Sequence, residues 1–209
     1  MTEAFHRPVR MPANRFDAVQ GGEDPAVLVR SAHETAIALV SRVRADPDPQ
    51  VVERLVAFAE REGIDAVAEL WSRAAPATLP GALWRLYLLR EMIRHDSAGI
   101  ALAFERGVAR LSSIDPVIAG APNPAGPEEL LAVADEILRG VFQGDLGVAL
   151  DRAAAFARVT AAGSTDLADD ADATEPDRAQ TLTKRAARLA TMAEELSASA
   201  GLWRGGALD

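Results

Sequence analysis

Apolar positions along the chain fall into helical stripes separated by proline and glycine, and no segment alternates polar and apolar over a strand's length. Asp24-Pro25 opens a first helix, Asp as N-cap and Pro at the first helical position. Leu28, Ala32, Ala36, Leu39, Val40 and Val43 share one face of it, and Asp46-Pro47-Asp48-Pro49 ends it. A second helix carries Val52, Leu55, Val56 and Ala59 and closes at Gly63, and a third, short one spans Ile64 to Ala74 with Trp71. Thr78 and Pro80 open a fourth. Its Trp84, Leu86, Leu88, Leu89, Met92 and Ile93 cover more than half the circumference, which predicts a central position.

A fifth helix runs from Ser97 to Leu111, followed by a connection rich in proline and glycine over residues 112–127. Pro127-Glu128-Glu129 starts the sixth, with acids where the helix dipole favours them. Gly144-Asp145 separates it from a seventh that reaches Gly163. Residues 164–177 read as an acidic linker in which Thr174 and Asp177 resemble a capping box. The last helix presents Leu182, Ala186, Leu189, Ala193, Leu196 and Ala200, a narrow stripe suited to close packing on another helix.

The expected architecture is therefore all-α, with about eight helices in antiparallel hairpins. A partial self-match at a shift of 33 residues lays residues 61–73 over 94–106 and leaves two arrangements open. One is an ordinary helical bundle. The other is a short helical-repeat array of tetratricopeptide or HEAT type. The expected organisation is an irregular N-terminal arm (1–22), a helical-hairpin core (23–163), the acidic linker (164–177) and a C-terminal helix packing on the core (178–209).

Composition narrows the chemistry. Of the 209 residues, 49% are hydrophobic and 25% charged, as in ordinary globular proteins. Cysteine is absent, which removes disulfides, thiolate nucleophiles and Cys-bearing metal sites. No apolar run reaches membrane-span length and no apolar core of a signal peptide follows the first arginines, so a cytoplasmic protein with no membrane association is expected. The net charge is −9, and residues 123–181, with 12 acids against 4 basic residues, carry most of it. Such a chain is repelled on average by phosphate backbones, which disfavours nucleic acid without excluding it.

Catalytic signatures are missing: there is no phosphate loop, no nucleophile elbow, and no pair of histidines at ligand spacing among His6, His33 and His95. The acidic stretch from Asp170 fails as a calcium loop, with Glu175 where glycine belongs and Thr181 where the bidentate carboxylate belongs. No cofactor, metal or catalytic residue is expected. On the fourth helix Tyr87, Arg90, Glu91 and Arg94 share one edge at i, i+3, i+4 and i+7. Two arginines one turn apart call for acceptors, either internal carboxylates or a carboxylate or phosphate on a partner. Trp203, beside Arg204 in a glycine-rich tail, either anchors the C-terminal end or is an exposed contact. These five residues are the candidate interaction residues.

The runs Leu70-Trp-Ser-Arg73, Leu79-Pro-Gly-Ala-Leu-Trp-Arg-Leu-Tyr-Leu-Leu-Arg90, Ile114-Asp-Pro-Val-Ile-Ala-Gly120 and Ile137-Leu-Arg-Gly-Val-Phe-Gln-Gly-Asp145 resemble an uncharacterised all-helical family of high-GC Gram-positive bacteria. Some members carry names related to RNA polymerase subunits, although no polymerase motif occurs in this sequence. The resemblance implies a soluble, cytoplasmic, helical protein and transfers no functional residue. The function these observations predict is a non-catalytic interaction or regulatory module that binds another protein. The alternatives are a transcription- or nucleic-acid-associated factor, and a small-molecule-binding protein or enzyme on a helical scaffold using Tyr87, Glu91 and His95.

Overall fold

Local capping decides where the central helix begins. The Thr78 hydroxyl accepts a hydrogen bond from the Gly81 N–H (3.2 Å) and donates to the Ala75 carbonyl (2.7 Å), while Pro80 sits in the first turn. A Cβ on Gly81 would lie 1.9 Å from the Ala75 carbonyl oxygen, so this turn requires glycine at position 81.

The computed structural model describes residues 25–41, 63–114, 125–140 and 142–209, and its regular structure is entirely helical. The helices are α1 (Pro25–Ser41), α2 (Ile64–Glu69), α3 (Leu79–His95), α4 (Ser97–Ile114), α5 (Pro127–Leu138), α6 (Leu146–Ala171) and α7 (Pro176–Arg204). The expected N-terminal arm, the helix around residues 52–59 and most of the proline-rich connection lie outside the described residues. α3 touches each of the other described helices and buries Leu79, Leu83, Leu86, Leu89 and Ile93, the central position its wide apolar face predicts.

α6 and α7 form a long antiparallel hairpin. Asp145 caps α6 by accepting from the Gly147 (2.7 Å) and Val148 (3.2 Å) amides. On α7 the expected stripe from Leu182 to Ala200 is buried at alternating three- and four-residue steps, the spacing of a coiled-coil seam. Buried Thr160 and Ser164 return their hydroxyls to the carbonyls four residues back, both at 2.8 Å, so neither leaves an unmet donor inside α6.

Three expectations are corrected. Residues 164–171 are not a linker: α6 continues through Gly163 to Ala171, and the connection to α7 is only 172–175. Gly163 is buried against α4, and three of the acids that suggested a solvated link, Asp166, Asp169 and Asp170, face arginines of α4. Arg106 reaches Asp166 and Asp170, each at 3.0 Å, and Arg110 reaches Asp166 at 3.2 Å. The capping box at Thr174 does not form, because α7 begins at Pro176 with Glu175 as its N-cap. α2 stops at Glu69, after which turns carry Trp71 into the core, where its indole N–H donates to the Thr35 hydroxyl at 3.0 Å.

Long-range polar contacts fasten α7 to the centre. Buried Ser199 donates to the Pro76 carbonyl (3.2 Å), Arg85 pairs with Glu195, and Arg185 pairs with Asp96 at 2.8 Å. Beyond α7 the chain turns at Gly206 (φ 67°), buries Leu208 and presents an Asp209 main-chain oxygen to the Leu79 N–H at 2.7 Å.

Candidate functional site

The polar edge of α3 is drawn into a network with α2 and α5. The Tyr87 hydroxyl donates to Asp65 at 3.0 Å, and its ring stacks on Trp84 with centroids 5.4 Å apart. Burial, then the hydrogen bond and charge of Asp65, push the Tyr87 phenol up to about 12 from 10.0, and Glu91 adds to the shift. Arg90 is 6% exposed; it donates to Asp135 at 2.5 Å and to Glu91. Burial works against its charge, but Asp135, then Glu91 and Asp65, outweigh that and raise its pKa further. Asp135 also receives Arg139 at 3.5 Å.

The arginine pair on this edge thus separates. Arg90 finds its acceptors inside the molecule. Arg94, one turn on, is exposed and has no side-chain partner among the described residues. Tyr87 and Glu91 are engaged with Asp65 and Arg90, and His95 faces solvent at the helix end. Asp65 and Asp135, which complete the network, were legible only as helix-face acids, because their partner lies on another helix.

The structure seats Trp203 elsewhere. It belongs to the last turn of α7 rather than to a tail, half-buried against Gly147, where a Cβ would come within 3.1 Å of the indole. There it forms one wall of a recess of about 200 Å³ at the meeting of α1, α5, α6 and α7. Buried Leu39, Ile137 and Leu146 make the floor, and Val40 and Phe142 complete the walls. Gln143 and Gly144 form the exposed mouth. The Phe142 ring occupies the space a Cβ on Gly144 would need, 2.5 Å from its nearest atom. Phe142 is a lone aromatic outside any stripe, so periodicity does not mark it; its place between Gly140 and Gly144 does.

Leading to this recess is the outer face of α1. Val29 and Ile37 are 59% and 48% exposed, and with His33 and Val40 they follow i, i+4, i+8 and i+11, a single stripe ending at the recess wall. The opposite face supplies Ala32, Ala36 and Leu39 to the core.

Among the described residues no group of His, Asp or Glu is placed to hold a metal ion, and no helix is long and apolar enough to cross a membrane. No family model matches the chain, and no match to it is found among curated proteins or solved structures.

Proposed function

We propose that this protein is a non-catalytic, cytoplasmic interaction module that binds another protein through the outer face of α1. The observation that supports this reading is the pair Val29 and Ile37, large apolar side chains left in water on a helix whose other face builds the core, in line with half-buried Val40. Covering such a stripe is favourable at about 25 cal/mol per Å², and its spacing suits a partner helix lying alongside. The net charge of −9 weighs against phosphate contacts, and the engagement of Arg90 by Asp135 and Glu91 leaves Arg94 as the one exposed arginine of that pair.

Capture of the tagged protein from a native lysate, with and without nuclease, tests this. The expected result is a nuclease-resistant protein in near-equal amount, lost when Val29→Glu and Ile37→Glu are combined. Equal capture by the folded double variant, or no stable partner, overturns it. Loss of all captured material on nuclease treatment moves the nucleic-acid-associated reading ahead.

A further inference from the structure

We infer that the recess between α1, α5, α6 and α7 is a preformed binding site for one ring-sized apolar group, aromatic or branched aliphatic, with a single polar function facing Gln143. It goes beyond the partner reading, since a free molecule and a partner's side chain can each supply such a group.

Size decides the class. A volume of about 200 Å³ falls below the ~300–1,000 Å³ of sites for drug-sized ligands, yet exceeds the ~150 Å³ apolar cavity known to take benzene. One ring fits within that volume. The lining suits an apolar group that carries a polar function: apolar side chains make the floor and walls, while polar atoms, the Gln143 amide among them, take an equal part of the exposed surface. The site is held open by helices at its floor and two of its walls, and by the loop before α6 at its third wall and mouth. Its floor comes from three helices, the bare Gly147 lets Trp203 stand close to α6, and the bare Gly144 lets the Phe142 ring fold back over the loop.

Benzyl alcohol is the probe, read by the Trp203 indole N–H resonance in ¹H–¹⁵N spectra and assigned with Trp203→Phe. The expected result is a saturable one-to-one shift with benzyl alcohol. Val40→Phe, which fills the recess from its wall, weakens binding by about tenfold or more. The Trp71 indole N–H, buried and bonded to Thr35, reports that each variant is folded. Should Val40→Phe not fold, Gly144→Val displaces the Phe142 ring into the recess and serves instead. A shift that does not saturate, or binding unchanged in a folded filled variant, overturns the proposal. A free ligand and a partner's side chain share this chemistry. Displacement of benzyl alcohol by a protein captured through α1 assigns the ring to that partner, and independent binding of the two assigns it to a free molecule.

Discussion

Gly107 of α4 and Gly163 of α6 lie back to back at the crossing of their helices. A Cβ on Gly163 would stand 1.7 Å from the Ala103 carbonyl oxygen and 2.6 Å from the Gly107 nitrogen, and one on Gly107 would stand 1.9 Å from the Val159 carbonyl oxygen. Backbone meets backbone there, and neither atom facing the glycines is a side-chain end that can swing aside. Gly163→Ala is therefore expected to lower stability by about 3 kcal/mol, the upper range for overpacking, despite alanine's better helix propensity. Gly201→Ala, in α7 with nothing within 4 Å, is expected to raise it by about 0.5–1 kcal/mol. Urea unfolding of the two variants checks the contrast, and equal effects would refute the close crossing.

Arg90 and Asp135 tie α3 to α5. Removing one partner leaves a buried charge short of its acceptor, whereas replacing both with apolar groups does not. Asp135→Ala is expected to cost about 1–3 kcal/mol, moderated because Glu91 remains on Arg90. The double change Arg90→Met with Asp135→Leu is expected to fall within about 1.5 kcal/mol of the parent. A double-mutant cycle reads the difference directly.

Tyr87 is the chain's single tyrosine, so phenolate absorbance titrates this one group. Its folded pKa, about 12, lies above the ordinary 10.0, which means the folded protein holds the proton more tightly. The associated stability is fully present below pH 10 and is lost as the pH rises from 10 towards 12. The native midpoint should lie well above that in urea, and Asp65→Asn should lower it towards the ordinary value. Coincident midpoints in the native and unfolded protein would contradict the Tyr87–Asp65 bond.

Thr35→Val is nearly isosteric but removes the acceptor of the buried Trp71 indole N–H. The expected cost is about 1–3 kcal/mol, that of an unmet buried donor, and thermal unfolding measures it. Thr35→Ser, which keeps the hydroxyl, should recover most of the loss.

Signals carried within one turn of the chain were legible in the sequence. Thr78 and Pro80 open their helix where their residue types predict, Gly144-Asp145 separates two helices, and the Leu/Ala stripe of α7 is buried position by position. Signals whose meaning lies on another element were not. Gly163 reads as a helix stop because its own sequence shows only a missing side chain; the reason for it is Ala103 and Gly107 on α4. Asp166, Asp169 and Asp170 read as a solvated linker until Arg106 and Arg110 are brought beside them. Arg90 was marked as needing an acceptor, and both answers to that need were open until Asp135 came within reach. The recess had no periodicity to announce it, since its walls come from α1, α7 and the loop before α6.

The contact between Leu79 and Asp209 also sets an order of events on the ribosome. α3 leaves the exit tunnel long before α7 exists, and the faces of Leu79, Leu83 and Leu86 wait for partners that include the last helix and the segment after it. At ordinary translation rates that wait is on the order of ten seconds. Throughout it the buried face of this central helix is an unfinished surface, and the native centre closes only after α7 and the segment that follows it have emerged.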